Sequence, residues 1–465
     1  MNAKRPNQQP MLPFTREEAG EARTPPRQGV EASTSPPAAE GPVTSTETMM
    51  EAICSTENMS RALRKVIANK GAPGVDGMTV GELDRHWRRH GPEITSQLLR
   101  GTYRPQPVKR VEIPKSDGGI RKLGIPTSLD RAIQQAVLQV LQEVWEPTFS
   151  AHSYGFRPGR SAHQAVARAR VYITEGRPWV VDIDLEKFFD RVNHDKLMGA
   201  LARRITDRRV LKLIRAFLNA GVMENGLVSA STEGTPQGGP LSPLLSNIVL
   251  DALDKELEKR GHAFVRYADD CNIYVKSETA GRRVMESICG FISRKLKLKV
   301  NQGKSAVDKP SRRKFLGFTF SEEKATVLIS SKAKQRFKDR IRELTRRGRS
   351  APQIIEGLNV YLRGWSGYFG FSGAYWELRD LDSWIRRRMR ALAWRAWRTP
   401  RKRFRELTRR GVDWYSALGM VRWYKNPWRA SYSIALHRAM PDRLWHGTLG
   451  LFSLLQSWSS TRTQP

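Results

Sequence analysis

The stretch "HAFVRYADDCNIYVKS", residues 262–277, constrains this chain more than any other. Phe264, Val265 and Tyr267 precede two adjacent acids, Asp269 and Asp270, and Ile273, Tyr274 and Val275 follow them. β-Branched and aromatic residues on both sides of a tight link predict a hairpin with the acids at its turn. An Asp at a turn is ordinarily a local backbone cap, so this hairpin by itself defines no site.

A second acidic strand changes the reading. In "RPWVVDIDLEKFFDRVNHDKL", Val180 to Asp184 form a short apolar strand whose two-residue period puts Asp182 and Asp184 on one face. Setting Asp184 beside Asp269 would crowd negative charges, at a cost of roughly several kcal/mol unless cations neutralise them. Mg²⁺ suits such a place, because it takes one or two carboxylates and completes its shell with substrate phosphates. Two such ions serve an in-line phosphoryl transfer.

Charge and length agree with a polyanionic substrate. The 465 residues hold 80 Lys and Arg against 46 Asp and Glu, a net charge of +34, and self-repulsion on that scale is relieved by phosphates. Cys54, Cys271 and Cys289 form no CxxC pair, which excludes a disulfide framework and a cysteine zinc site and fits a reducing cytoplasm. No apolar run is long enough to span a membrane, so no membrane partner is expected.

The chain divides by pattern. Residues 1–48, rich in Pro, Ser, Thr and Glu, are expected to be a disordered arm. From Met49 a helical pattern runs to "GAPGVDG". Between about 100 and 320, turns separate strands such as "WVVDID" from helices such as "DRAIQQAVLQVLQEVW", an α+β mixture. From 329 to 408, "SKAKQRFKDRIRELTRRGR", "APQIIEGLNVYLRGWSGYF" and "YWELRDLDSWIRRRMRALAWRAWR" read as successive amphipathic helices. Residues 409–465 are basic and Trp-rich, with an irregular pattern.

Eight blocks now carry a resemblance: "NKGAPGVDG", "YRPQPVKRVEIPKSDGGIRKLGIPTSLDRAIQQAVL", "SYGFRPGRSAHQAV", "DIDLEKFFDRVNHD", "EGTPQGGPLSPLLSNIVLD", "RYADDCNIYV", "LKVNQGKS" and "KFLGFTF". In this order they resemble the group II intron reverse transcriptases and maturases, most closely the short bacterial group IIC class. The resemblance implies a right-hand polymerase, with fingers and palm over 49–328, a helical thumb or maturase domain over 329–408, and a DNA-binding region over 409–465. It implies catalysis by Asp184, Asp269 and Asp270, with Asp184 and Asp269 holding two Mg²⁺ ions for which Mn²⁺ can substitute. Asp182 is left structural.

Further roles follow only from the resemblance. Lys115 and Arg121 reach the triphosphate of the incoming deoxynucleotide, Gln237 contributes an amide beside it, and Lys304 lies near the leaving pyrophosphate. Phe189 is the steric gate against a ribose 2′-hydroxyl, with Phe188 an ordinary core residue. The residues themselves leave plainer readings open: "TPQGGP" is also a turn, and Lys304 also an exposed salt-bridging lysine. Residues 381–410 contain twelve Lys or Arg against Asp382 and Glu406, and Arg386, Arg387, Arg388 and Arg390 are assigned to RNA. The implied partners are group II intron RNA, template RNA with a DNA primer or target, and deoxynucleoside triphosphates, in a bacterial cytoplasm. Beyond residue 411 there is no cysteine and only His437 and His446, so a cysteine- and histidine-rich HNH endonuclease is not expected here. A stand-alone reverse transcriptase of retron or antiviral-defence type, and an RNA-binding splicing cofactor without polymerase activity, are the alternative readings. The segment "LNVYLRGWSGYF" argues against the first and the intact acids against the second.

Overall fold

The structure, a computed structural model, describes residues 48–114, 119–224, 227–229, 233–235, 238–346 and 350–463. The expected N-terminal arm falls outside them up to residue 47. The described strands are, in chain order, β1 (Val108–Pro114), β2 (Ile120–Ile125), β3 (Trp179–Ile183), β4 (Val222–Glu224), β5 (Leu227–Ser229), β6 (Ala263–Tyr267), β7 (Asp270–Val275), β8 (Ala306–Asp308), β9 (Phe318–Phe320) and β10 (Val327–Ile329). The chain folds as two compact units. One comprises Met1–Phe149, Lys187–Ala252 and Leu296–Leu298, and the other Ser150–Glu186, Leu253–Lys295 and Lys299–Pro465.

The first unit holds the sheet β2-β1-β4-β5, in which β1 pairs antiparallel with β2 and parallel with β4. Helix Ser128–Trp145 is its central support, with Ala132, Ile133, Ala136, Val137 and Leu141 all fully buried. Its N-terminus is fixed by Thr127, whose side chain accepts from the Asp130 N–H. The helical pattern that starts at Met49 is two helices, Met49–Cys54 and Thr56–Ala68. Ser55 interrupts it because its hydroxyl caps the second helix by accepting from the Asn58 N–H.

The second unit is built on the antiparallel sheet β6-β7-β3-β8. Val180, Val265 and Tyr274 of this sheet share one core with Ala165, Val166, Ala169 and Tyr172 of helix Ala162–Thr174. The hairpin β9-β10 adds Phe318, Phe320 and Val327 to that core, and Tyr368, Phe369 and Phe371 pack against it. Each fully buried side chain of this size contributes about 1.5–3 kcal/mol.

The three amphipathic helices are present as Ser331–Leu344, Ala351–Phe369 and Tyr375–Ala396. Phe337, Ile341, Leu358, Leu362, Leu378 and Ile385 form their shared core. The irregular C-terminal stretch joins the same core through Leu436, Trp445, Leu451 and Leu454. Its helices, such as Trp414–Trp423 and Ile434–Ala439, run only a few turns, too short for an apolar period to show in sequence. One link is polar: buried Asp382 accepts from the Leu454 and Leu455 N–H groups and from the Ser453 hydroxyl, which caps helix Leu454–Thr463.

Candidate active site

The hairpin of β6 and β7 closes as expected, with Tyr267 opposite Asp270 and Ala268 and Asp269 in the turn. Ala268 adopts a left-handed conformation at φ 56°, which an L-residue adopts only when its surroundings hold it there. Gly155 crowds this turn: a Cβ on it would lie 2.2 Å from the Ala268 nitrogen. Only glycine permits that approach.

Strand β3 lies antiparallel to β7, with Asp182 opposite Asn272 and Ile183 opposite Cys271. Asp184 follows directly, and its backbone is pinned by the turn after Val300. Its N–H donates to the Ser305 hydroxyl at 3.0 Å and its carbonyl accepts from the Asn301 N–H at 2.8 Å. "VNQGKS" thus acts here as a clamp on the acidic strand, a role that the sequence did not disclose.

The acids of the two strands feel one another. Asp270 has its carboxyl pushed up to about 7, first by loss of water around it and then by the charges of Asp269, Asp182 and Asp184. The residue keeps an exposed side, so crowding by three like charges is the firmer cause. Asp182 is held differently. Arg313 donates to its Oδ2 at 2.6 Å and 2.9 Å, and the Asn272 amide, with its nitrogen turned inward, donates to Oδ1 at 3.0 Å. Burial raises the Asp182 pKa and Arg313 opposes the rise.

Among the described residues no three His, Cys, Asp or Glu side chains form a ready-made metal cage. Asp184, Asp269 and Asp270 nevertheless fit a hard divalent cation of the magnesium type. They are oxygen donors carrying excess negative charge, and such a cation completes its shell with water and substrate phosphates.

The remaining expected site residues are spread over both units. Phe189 and Phe188 belong to the first unit, in the 3₁₀ turn Phe188–Asp190. Phe188 is buried at 3% exposure. Phe189 instead lines an open pocket of about 180 Å³ with Arg110, Lys122, Gly124 and Thr235. Arg121 lies in β2 opposite Ile113. Lys304, in the second unit, is exposed in the turn that clamps Asp184. Lys115 and Gln237 lie outside the described residues. Gly238 beside Gln237 has φ 134°, and a Cβ there would stand 2.6 Å from the Gly124 carbonyl oxygen.

The four arginines assigned to RNA also lie against other parts of the protein. Arg386 sets its Nε 2.9 Å from Asp442 Oδ1, off the line of a hydrogen bond. The Arg387 guanidinium lies 3.8 Å from the Trp428 ring centre and 3.3 Å from that of Tyr432. Arg388 donates from Nε to the Thr345 hydroxyl at 2.5 Å. Arg390 is 3% exposed, and burial lowers its pKa to about 10. Arg390 is buried, whereas Arg386, Arg387 and Arg388 stay half-buried where helices Pro427–Ala430 and Leu454–Thr463 pack on Tyr375–Ala396. The exposed cations of this region are Arg395, Arg398, Arg401, Lys402, Arg405, Arg409 and Arg410.

Comparison with known proteins gives this geometry its context. Residues 113–320 match the family "Reverse transcriptase (RNA-dependent DNA polymerase)" and residues 334–411 match "Group II intron, maturase-specific domain". Protein YkfC of Escherichia coli (strain K12) is 35% identical over 311 residues, which cover 58% of this chain and 81% of that protein. Group II intron-encoded protein LtrA of Lactococcus lactis subsp. cremoris is 31% identical over 342 residues, covering 59% of this chain and 57% of LtrA. A partial Cas6-RT-Cas1--Cas2 complex matches at 24% identity over 53% of this chain and 42% of that one, with a TM-score of 0.35.

The chain belongs to the group II intron reverse transcriptases and maturases, RNA-directed DNA polymerases with a right-hand fold followed by a helical domain. Nucleic acid, intron RNA included, is the substrate class of this family, and its chemistry depends on divalent metal. Among the described residues no helix is long and apolar enough to cross a membrane.

Proposed function

We propose that Asp184, Asp269 and Asp270 form the catalytic centre of a polymerase that extends a DNA primer on an RNA template with deoxynucleoside triphosphates. The observation that carries this reading is the gathering of carboxylates at the ends of the paired strands β3 and β7, where loss of water and the neighbouring acids together raise the Asp270 pKa. Two Mg²⁺ ions, with Mn²⁺ as a substitute, would supply charge neutralisation for the attacking primer 3′-oxygen and the leaving pyrophosphate. Asp184 and Asp269 hold them, each from a backbone position fixed by its own turn. Asp270 adds the third negative charge, and Asp182, tied to Arg313, stays structural. Primer extension with Asp269→Asn tests the assignment, and full extension by that variant would refute it.

Phe189 discriminates between sugars in this reading, because it faces an open pocket while Phe188 is core. Its loss should relax ribonucleotide exclusion by a few kcal/mol, each 1.4 kcal/mol being about tenfold. Phe188→Ala should instead lose stability, by roughly 3–5 kcal/mol. Relaxed sugar selection in the Phe188 variant alone would exchange the two roles. Lys115, Arg121, Gln237 and Lys304 are assigned to the nucleotide and its phosphates.

The chain also binds its intron RNA, assists splicing and copies the intron, with residues 409–465 contacting target DNA, in the bacterial cytoplasm. The match to the maturase-specific domain supports this over a stand-alone enzyme. Phosphate contact passes to the exposed Arg398, Arg401, Lys402, Arg405 and Arg409. A splicing assay on the cognate intron, with and without the protein, tests it, and unassisted splicing at the same rate would overturn it.

A further inference from the structure

Arg266 and Asp254 form an ion pair in which both side chains are fully buried. Such a pair is a poor source of stability, because removing two charges from water costs about as much as their attraction returns. Its geometry suggests another purpose. Arg266 donates from Nε and Nη2 to the two oxygens of Asp254, at 2.7 Å and 2.5 Å. The same Nη2 donates to the Ser153 hydroxyl at 2.8 Å, and Nη1 donates to the Ala268 carbonyl at 2.9 Å. That carbonyl belongs to the peptide joining Ala268 to Asp269. Its orientation sets the direction in which the Asp269 side chain leaves the turn.

The backbone completes the clamp. The Arg266 N–H donates to the His152 carbonyl and its carbonyl accepts from the Tyr154 N–H, so residues 152–155 lie alongside the strand. Gly155 then abuts Ala268, the residue held at φ 56°. Helix Ser242–Lys259, which carries Asp254, is thereby connected through one guanidinium to the catalytic turn. All of these groups, from Asp254 and Ser153 to Ala268, lie in the second unit.

We infer that Arg266, oriented by Asp254, is a positioning residue that fixes the Ala268–Asp269 peptide and so aims the Asp269 carboxylate. The inference rests on the reading of Asp269 as a metal-holding acid. Arginine's planar fork can serve Asp254, Ser153 and Ala268 together, whereas a lysine ammonium has neither the reach nor the plane. Holding a catalytic group in register is worth about a hundredfold in rate for a displacement near 1 Å.

The test uses the full chain carrying Arg266→Lys, and separately the apolar pair Asp254→Leu with Arg266→Met, which replaces the ions by packing side chains. Circular dichroism sets an assay temperature at which each variant is folded. There, both should lose between about ten- and a hundredfold in kcat, with KM for deoxynucleotide within about twofold. Half-saturating Mg²⁺ should rise severalfold. Amide hydrogen exchange, which does not depend on activity, should accelerate at residues 267–270 and stay unchanged across Trp179–Ile183. A folded variant with normal kcat, Mg²⁺ requirement and exchange overturns the inference, even if its melting temperature has fallen. Should Arg266→Lys not fold, the apolar pair decides by the same readouts. Asp269→Asn runs beside them. If that variant keeps full activity, the metal reading of Asp269 has failed, whereas a dead Asp269→Asn beside a normal Arg266→Lys condemns the positioning role alone.

Discussion

The acids at the end of β3 and β7 and the arginines of helix Tyr375–Ala396 are both dense clusters of like charge, and the structure treats them in opposite ways. Each arginine of the four is absorbed by its own fold: Asp442, the Trp428 and Tyr432 rings, Thr345, or burial. Asp184 is held by its backbone, and the charges of Asp269, Asp182 and Asp184 add to the loss of water in raising the Asp270 pKa. Charge density in a sequence is therefore an ambiguous sign of function. Charge crowded against like charge points to a ligand, and charge set against rings or an opposite charge points to architecture.

The sharpest way to break this comparison is to neutralise one charge in each cluster. Asp269→Asn or Asp184→Asn should cut cDNA synthesis by about a thousandfold or more, since a bound metal is worth several kcal/mol at the transition state. RNA retention on filters and the melting temperature should hold. A variant that melts early would mean that the acids serve the fold as the arginines do.

Replacing Arg386, Arg387 and Arg388 together by Ala should cost roughly 2–4 kcal/mol in a urea melt, from lost stacking and hydrogen bonds. The slope of log affinity for intron RNA against log salt should hardly change. Arg401, Lys402 and Arg405 to Ala should do the reverse, flattening the slope by about two units, at roughly 0.7–0.9 per phosphate contact, with little change in stability. The opposite pattern would return the inner arginines to the RNA.

Asp182→Asn should have a smaller effect, about 1 kcal/mol of stability from the half-shielded Arg313 pair, with polymerase activity within about tenfold of wild type. Loss comparable to Asp184→Asn in primer extension would move Asp182 into the catalytic set.

A last expected signal is in pH. Asp270 titrates near 7 in the folded protein, above the ordinary value of 3.8. Between these values the folded state binds the extra proton, so metal-free stability falls as pH rises through that window and levels off above it. Melting curves from pH 4 to 8 should show this decline, and Asp270→Asn should remove it. The arginine pairs contribute no such slope.

Much of this was legible in the sequence, for physical reasons. Long helices with a full apolar stripe, such as Ala351–Phe369, announce themselves by period, and so does a hairpin of β-branched and aromatic residues around Asp269. Asp182 and Asp184 were separable only by family pattern, and the Arg313 partner that distinguishes them lies 131 residues away in sequence. Arg266 carried a signal that could have been used: a charge between Val265 and Tyr267 in an apolar strand demands a buried partner. Whether Arg386 or Arg401 faces solvent depends on short helices beyond residue 411, whose placement no local pattern encodes.

The aromatic core around Phe318 has an evolutionary consequence. Residues of the catalytic sheet, the hairpin β9-β10 and the end of helix Ala351–Phe369 contribute rings to one cluster, where Phe318 lies between 5.4 Å and 6.0 Å from the ring centres of Tyr368, Phe369 and Phe371. A descendant that shed the helical region to keep a bare polymerase would bare Phe318, Phe320 and Val327 to water at one stroke. Such an exposed apolar patch invites aggregation. A chain without the helical region would therefore need polar residues in place of that patch to stay dispersed.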